Sequence, residues 1–504
     1  MRKKLLGAMA ALVAGTGGAL AQSPYRGPAA VGRTGSYDGA GVQQAQFNQA
    51  IPPRLPDMGP GGPGFGGPGG PGGPGFGGPG GPGGPDMGPG GPGGPEGGPG
   101  WPPPGGYMQQ PWERPPIDRP VLEQGLRSRG IECAPTLWFD GQYLLMFSKN
   151  MPIGFPLVTS GSPAGLGVLG QPTTSALYGG GDLSMGMASG FKLTAGFFRP
   201  EDHRLGFELT GLYTAPTSND FFGRGSGNGI PTLARPFFNT ATNQNAALIV
   251  SFPNFAAGSV SSRATSEFWG MEANGLWNAF RTTPGGGWNC SLNVLAGFRF
   301  AQLQEGLSID QQSMLLPGTT APYAGITVQS PTSLEVHDNF NTTNRFYGGQ
   351  VGLQWQASVG RWFGGITAKV GLGLMHEEVT INGTSGSNNP GGTPQNAATV
   401  AVGGLFANAS NIGKYRDDRF AILTDVNGTV GYNVTKFFTV TAGYNFIHMS
   451  QVARPSNQFD GRVDPSLVPT SANFGGAPSG TTPYVVKQTD YWLHGVNLGF
   501  IARY

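Results

Sequence analysis

The stretch YWLHGVNLGFIARY, residues 491–504, decides the fold because its side chains alternate in character from end to end. One set of alternate positions is almost wholly apolar: Trp492, His494, Val496, Leu498, Phe500, Ala502 and Tyr504. The other set is Tyr491, Leu493, Gly495, Asn497, Gly499, Ile501 and Arg503. Because successive side chains of a strand point to opposite faces, the segment predicts a strand with one apolar face. An apolar outer face is typical of a strand that crosses a membrane in a β-barrel.

The first residues predict export from the cytoplasm. Arg2, Lys3 and Lys4 precede a largely apolar run, and Ala19-Leu20-Ala21 fits a cleavage site, so residues 1–21 are interpreted as a signal peptide. That run is shorter than the ~20 residues that a spanning helix needs, and we find no longer one in the sequence. Because only helices and closed barrels pair every backbone group in lipid, a membrane location predicts a barrel.

Composition agrees with this interpretation. The formal net charge is +2, from 30 basic and 28 acidic residues, so no electrostatic argument for binding nucleic acid arises. Charged residues make up 12% of the chain, against about 25% in ordinary soluble domains. Alternating strands joined by uncharged connections would have such a composition.

Residues 22–130 are predicted to form a disordered, Gly/Pro-rich tail in the periplasm. Gly-Gly-Pro units dominate residues 57–106, and the octet 57–64 recurs at 86–93. Such a segment buries too little apolar surface to offset the entropy lost on ordering. A fibrous or wall-binding structure is the alternative, with cell-wall or surface-layer components as candidate partners. As a flexible coil the segment would span roughly 40 Å, or up to about 150 Å as polyproline II.

Residues 131–504 are predicted to form an all-β, transmembrane, antiparallel up-and-down β-barrel of about ten strands. The expected strands are 135–147, 189–199, 203–214, 266–280, 289–304, 343–359, 362–380, 415–433, 436–450 and 484–504. Long and short connections alternate between them, and bacterial barrels have short periplasmic turns and long outer loops. Both chain ends then lie on the short-turn side. An additional pair of strands at 246–252 and 399–406 would give twelve.

Several predicted strands place a charge on the face opposite to lipid. These lumen-facing candidates are Asp140, Lys192, Glu208, Glu272, Arg299, Lys369, Asp425 and Arg503. On the lipid side, Arg or Lys near the midplane would cost ~2–4 kcal/mol. Inside the barrel, the two signs of charge could pair as a plug, or they could line a permeation path. A soluble sandwich or lipocalin-like barrel would instead bury its apolar face and have short connections at both ends.

The segments 137–147 and 156–161 resemble the opening of the planctomycete "putative beta-barrel porin" family, seventh group. Further motifs that are similar to this family lie at 297–300, 303–307, 343–350, 360–363, 443–446, 454–455 and 490–492. The resemblance covers residues 133–504 and implies an outer-membrane β-barrel. It implies no catalytic or ligand-binding residues.

The terminal aromatic residue, with apolar residues at every second position before it, resembles the C-terminal signal of bacterial outer-membrane proteins. The residues that would form this signal are Trp492, Leu498, Phe500 and Tyr504. The resemblance implies outer-membrane lipid and the barrel assembly machinery as partners.

Candidate chemical sites are few. The segment His376-Glu377-Glu378 and His448 raise a rim acid/base site, but both histidines share the outward parity of their strands, so we expect a protein that is not an enzyme. Histidine and cysteine spacing predicts no metal or cofactor. Cys133 and Cys290 could form a disulfide in an oxidising compartment.

A porin-like role in envelope structure or passive solute passage is therefore expected. The alternative is a non-conducting scaffold whose long surface loops mediate adhesion or surface-layer contact.

Overall fold

The computed structural model of the chain describes residues 136–201, 203–282, 288–389, 399–479 and 484–504. The first nine strands are β1 (Leu137–Ser148), β2 (Met151–Gly161), β3 (Ser175–Leu183), β4 (Met187–Phe198), β5 (Leu205–Arg224), β6 (Thr232–Asn239), β7 (Gln244–Ser251), β8 (Ala256–Arg281) and β9 (Asn289–Leu315). The next nine are β10 (Thr320–Tyr323), β11 (Ile326–Gln329), β12 (Ser333–Val359), β13 (Trp362–Asn388), β14 (Thr399–Val402), β15 (Gly413–Asn433), β16 (Phe438–Ala453), β17 (Arg462–Val463) and β18 (Gln488–Arg503). Short helical turns occupy Pro455–Gln458 and Pro465–Leu467.

Within these described residues, ten strands form a closed antiparallel ring. Its order is β12-β9-β8-β5-β4-β1-β18-β16-β15-β13, and β13 pairs with β12 to complete the circle. The first and last strands of the chain are neighbours, since Tyr143 lies opposite Leu498 and the Leu137 amide donates to the Tyr504 carbonyl. The predicted antiparallel barrel of ten strands is confirmed. No helix in the described ranges is both long and apolar enough to cross a membrane.

The twelve-strand alternative was wrong. The strand at β7 pairs with β6 in a separate sheet, and β14 pairs with β13 only at Thr384–Ser387. Neither strand enters the ring. Periodicity indicates that such a segment is extended, but it does not say which strand lies beside it.

An apolar band covers the outside of the ring. On β13 the outward side chains Val370, Leu372 and Leu374 are 41%, 50% and 56% exposed. The corresponding outward residues of β12 are Tyr347, Val351 and Leu353. These side chains would be buried in a soluble protein, so their exposure on every strand of the ring marks the surface that meets lipid.

The parity of the apolar residues reverses above this band, at Arg345 of β12. Below that point the apolar side chains face outward; above it, Val336 and Phe340 are buried inside, whereas His337 and Asn341 are exposed outside. β9 and β13 show the same reversal. The upper wall is therefore apolar inside and polar outside, as in a soluble barrel.

This reversal explains why the predicted boundaries were wrong for several strands. β5, β8, β9, β12 and β13 extend well into stretches that were predicted to be long loops. Their pairing continues without lipid contact: β8 and β9 remain in register from Asn278 opposite Asn293 up to Ala256 opposite Leu315. The length of these strands is set by backbone hydrogen bonding between neighbours. The pattern of outward apolar side chains, by which they were predicted, ends much earlier along each strand.

The remaining long connections fold into a second sheet, which we call the cap and define as β2, β3, β6, β7 and β17. Cap residues such as Ile153, Val158 and Leu233 share one buried apolar cluster with Leu307 and Phe340 of the upper wall. The cap therefore packs against the inner face of the extended strands.

A narrow ring requires small residues opposite large ones. Phe346 is fully buried inside, and a Cβ atom at Gly348 would lie 2.6 Å from its ring. A Cβ atom at Gly371 would lie 3.3 Å from the same ring. These glycines leave the space that the Phe346 ring fills, because interiors pack without voids or overlap.

The assignment of the band predicts a position-dependent response to charge. Leu372→Arg is expected to lower the free energy of unfolding in lipid vesicles by ~2–4 kcal/mol, because it moves a cation into hydrocarbon. Asn382→Arg, on the same face of β13 but above the band, is the matched control and should change it by less than about 0.5 kcal/mol. Urea titrations followed by tryptophan fluorescence measure both. Equal losses for the two variants would contradict the position of the band.

Candidate functional site in the barrel interior

The lower half of the barrel interior contains a network of charged side chains centred on Glu272. Its carboxylate accepts hydrogen bonds from Lys369 Nζ and from Gln350 Nε2, the latter at 2.9 Å. Arg299 Nη1 lies 3.6 Å from Glu272 Oε2, the oxygen that also accepts from Gln350. All of these groups are buried, so each charge is stabilised by its partners and not by water.

The network continues across the interior in both directions. Arg299 Nη1 donates to Asp425 Oδ2 at 2.9 Å, which joins β9 to β15 across the lumen. On the other side, Asn274 Nδ2 donates to Glu208 Oε1 at 3.1 Å, and Gln350 Nε2 donates to Asn274 Oδ1 at 2.6 Å. Charged and amide side chains thus tie together strands that are not neighbours.

The structure places all eight lumen-facing candidates on the inner surface. It brings together Glu208, Glu272, Arg299, Lys369 and Asp425. Lys192 of β4 is buried and interacts electrostatically with Glu208, Glu272 and Asp425. The other two candidates have other surroundings: Asp140 Oδ2 accepts from Gln142 Nε2 at 2.9 Å, and Arg503 Nη1 donates to Thr439 Oγ1 at 2.7 Å.

A layer of apolar side chains fills the middle of the barrel above this network. It comprises Leu144, Met146, Leu212, Phe268, Ala301, Leu303, Phe346, Met375, Ala421, Leu423, Ile447, Met449, Val452, Tyr491 and Leu493. Every strand of the ring except β4 contributes to this layer. Apolar packing of this kind separates the charged network from the cap.

Arg454 fastens the connection between β16 and β18 to the upper wall. Its guanidinium forms a bidentate pair with Glu305 of β9, at 2.8 Å from Nε and 2.7 Å from Nη2. It also donates to the carbonyls of Asn150 at 2.8 Å and Lys149 at 3.1 Å. The side chains of Arg454 and Glu305 are both 0% exposed. A buried guanidinium is stabilised when a carboxylate accepts two of its hydrogen bonds and carbonyl oxygens accept from its remaining N–H donors.

A second buried pair holds the cap itself. Arg235 of β6 donates to Asp338 of β12, and the guanidinium also lies over the Phe406 ring at 5.0 Å. Asp338 Oδ1 accepts from the backbone amides of Phe406 at 2.8 Å and Ala407 at 2.6 Å. One wall carboxylate therefore positions both the cap and the 403–412 connection.

Sequence reasoning missed these pairs. Glu305 and Arg454 both occur in segments that resemble the family, but nothing in the chain indicated that they meet. They are 149 residues apart. The one signal in the sequence was the charge of these two residues. An arginine before Pro455 and a glutamate in an apolar segment are unusual in predicted loops that carry few charges.

Groups in the connection before β18 are also firmly held. Burial opposes the charged form of Asp464, but hydrogen bonds from Ser466 and Ser479 outweigh it and hold the pKa of this carboxyl below its usual value. Burial raises the pKa of Tyr484, whose hydroxyl donates to Gln458 Oε1 at 2.5 Å. These contacts order the segment that covers the mouth beside Arg454.

The rim histidines lie on the outside of the wall. His376 Nδ1 is 2.7 Å from Asp418 Oδ1, and His448 Nε2 is 3.8 Å from Asp490 Oδ2. His337 Nδ1 is 2.9 Å from Asp310 Oδ1. Each pair joins residues of adjacent strands on the outer surface, and within the described residues no set of His, Cys, Asp and Glu could hold a metal ion.

The other predicted sites can be placed only in part. Leu498, Phe500 and Tyr504 are exposed on the outer surface, and Trp492 is half-buried on the same face. Cys290 is a free thiol near the start of β9. Cys133 lies outside the described residues, as do the proposed signal peptide and Gly/Pro-rich tail, so the disulfide stays a prediction.

The family model described as Putative beta barrel porin-7 matches residues 138–504, which span the cap and the ring from the second residue of β1 onward. The chain belongs to this family. Membership in Putative beta barrel porin-7 confirms the resemblance found in the sequence, and it agrees with a barrel of the outer membrane. No curated protein matches the chain.

Among solved structures, this Putative beta barrel porin-7 chain is similar to the outer membrane protease OmpT from Escherichia coli. The identity is 10% and the TM-score 0.33, over 73% of this chain and 97% of that one. A Pseudomonas aeruginosa FadL homologue has 8% identity and a TM-score of 0.18, over 73% and 90% of the two chains. The P. putida toluene transporter TodX has 6% identity and a TM-score of 0.15, with the same coverage.

The buried pair between Arg454 and Glu305 yields a test by double-mutant cycle. Arg454→Met leaves the Glu305 carboxylate buried and unpaired, so we expect a loss of about 3–5 kcal/mol in the free energy of unfolding. Adding Glu305→Leu should restore most of that loss, because no buried charge then remains. Denaturant titration measures the cycle, and limited proteolysis of residues 454–479 reports on the local segment. A double variant as unstable as Arg454→Met would contradict the assigned pairing.

Proposed function

We propose that this outer-membrane barrel is a sealed, non-conducting scaffold that carries a rigid cap for contacts with other envelope components. The observation that supports this most directly is that the interior is filled at successive levels. The charged network, the apolar layer and the cap follow one another along the barrel axis. A ring of ten strands is close to the size at which side chains alone fill the interior.

The character of the charged network favours a plug over a permeation path. A path that attracts ions or solutes presents charges of one sign to water. Here Glu272 is shared by Lys369 and Arg299, and Arg299 is shared by Glu272 and Asp425, so the charges neutralise each other. Opening this lumen would expose buried charges and separate bonded pairs, which is energetically unfavourable.

Passive solute passage is the second candidate, and the family description is the observation in its favour. It requires the cap and the apolar layer to move aside together. The buried pairs of Arg454 and Arg235 oppose such a movement, since each would leave a charge without its partner.

Our proposal includes no catalytic step. The pair His376–Asp418 lies on the outer wall, next to the lipid-facing Leu374 and Phe420. A hydrolytic site needs an acid or base that reaches a substrate cleft. We assign these histidines to the surface at the upper limit of the apolar band.

We further propose that the short turns face the periplasm and the cap faces outward. Backbone hydrogen bonds join Thr136 and Leu137 to Tyr504, so the described chain begins and ends on the short-turn side. The Gly/Pro-rich tail would then enter the periplasm, where it could reach the cell wall. Bacterial barrels generally have this orientation.

A planar-bilayer experiment tests the sealed state. The refolded full-length chain is expected to insert without stable conducting steps, because the lumen is blocked at several levels. Lys369→Glu, which places a second carboxylate beside Glu272, is the companion variant. Stable steps from the wild-type chain whose size changes in Lys369→Glu would contradict the scaffold and support a pore.

Protease access tests the orientation. With an epitope at residue 50, cells should lose the epitope to added protease only after the outer membrane is permeabilised. An epitope in the connection at residues 317–318, on the cap side, is the matched control and should be removed from intact cells. The opposite pattern would place the short turns outside.

A further inference from the structure

One sector of the outer wall carries a polar row at the upper limit of the apolar band. Arg345 of β12 lies opposite His376 of β13, which in turn lies opposite Asp418 of β15. One step below, Tyr347, Leu374 and Phe420 lie opposite one another and are exposed. Because the lower row meets hydrocarbon, the upper row lies at the level of lipid headgroups.

We call this sector the basic rim and define it as Arg345, His376, Glu378, Lys414 and Arg416. Few of the N–H donors of its cations are used in hydrogen bonds within the protein. Arg345 Nε donates to Gln302 Oε1 at 3.1 Å, a neutral partner. Glu378 alone accepts from both Lys414 Nζ at 2.7 Å and Arg416 Nε at 3.1 Å. The Arg416 side chain is 61% exposed and that of Lys414 50%. Asp418, the partner of His376, also faces outward in this row, so the cations Arg345, Lys414 and Arg416 outnumber the carboxylates Glu378 and Asp418 by one positive charge.

The strands β4 and β1 lie across the ring from β12 and β13, and their outward residues Phe191 and Tyr143 are uncharged aromatic residues. Aromatic residues of this kind are found at membrane interfaces in general. The cations of the basic rim distinguish β12 and β15 from this part of the wall.

Strand geometry brings the two arginines within reach of one anion. Arg345 and Arg416 lie on strands that flank β13 and differ by one outward position, so their Cα atoms are roughly 12 Å apart. Arg345 lies about 7 Å along its strand from Tyr347, and Arg416 about 13 Å from Phe420. Long side chains can extend down along apolar surface to the interface. Both guanidinium groups can therefore approach the same headgroup.

We propose that the basic rim binds the phosphate-bearing headgroup of an anionic lipid. The acyl chains of that lipid lie over Tyr347, Leu374 and Phe420, and the phosphate lies between Arg345 and Arg416. The lipid-facing band continues directly into the rim, which identifies lipid as the occupant, and charge complementarity specifies its headgroup. This inference does not depend on whether the barrel conducts.

The test measures lipid retention by the full-length chain in detergent micelles. Phosphatidylglycerol and phosphatidylcholine with the same acyl chains are added in separate titrations, and native mass spectrometry counts the lipids retained. Arg345→Gln with Arg416→Gln should weaken phosphatidylglycerol binding about tenfold and leave phosphatidylcholine unchanged. The corresponding double lysine variant should retain most of the binding, because the charge remains.

Arg263→Gln is the matched control. Arg263 is an exposed, outward arginine on β8, paired with Asp220 at 2.7 Å, and it lies about 27 Å along its strand from Met271 of the band. Its loss should leave phosphatidylglycerol binding unchanged. Heat-modifiable gel mobility confirms that each variant is folded; if the double variant does not fold, Arg345→Gln alone should weaken binding about threefold.

Three results would overturn the proposal. One is phosphatidylglycerol binding by the folded glutamine variant that equals the wild-type value. Another is displacement of phosphatidylglycerol by an equal concentration of inorganic phosphate, which would make the rim a general anion site and not a lipid site. A loss of binding in Arg263→Gln as large as in the rim variant would likewise remove its local basis.

Discussion

The pairing of β1 with β18 is the interaction on which the rest of the structure depends. In lipid no backbone donor or acceptor can remain unpaired, so the sheet must close, and the first and last strands of the ring supply that closure. Tyr143 opposite Leu498 lies in this seam. Closure at ten strands then imposes a narrow interior, which side chains must fill. This interior is filled by the apolar layer and the charged network, and the inner glycines leave space for the larger side chains.

Filling a narrow interior with charges is possible only when the charges neutralise each other. An isolated ion inside a protein is destabilised by several kcal/mol, and good geometry with additional hydrogen bonds offsets that penalty. Glu272 satisfies both conditions through Lys369, Arg299 and Gln350. The same rule operates above the membrane, where Glu305 and Asp338 each receive an arginine from a connecting segment. Paired charges thus join the strands to each other and the cap to the wall.

The barrel strands were predictable because a half-buried strand has a period of two, and lipid-facing strands show that period clearly. Their upper ends were not predictable in the same way. At Arg345 the apolar face changes from outside to inside, and a search for one continuous apolar face ends there although β12 begins at Ser333. Strand parity also placed the rim histidines on the outer face. It did not identify their carboxylate partners, because these lie on neighbouring strands.

The sequence by itself determined which face of each strand meets lipid: it placed Arg503 inside and Tyr504 outside, because parity is a local property of an extended chain. Only the tertiary structure decided which inward charges meet. Lys369 and Glu272 are 97 residues apart and lie on strands that are not neighbours, so their contact depends on register and on the curvature of the closed ring. The cap has the same origin, since Arg235 and Arg454 find their carboxylates only after the wall has formed around them.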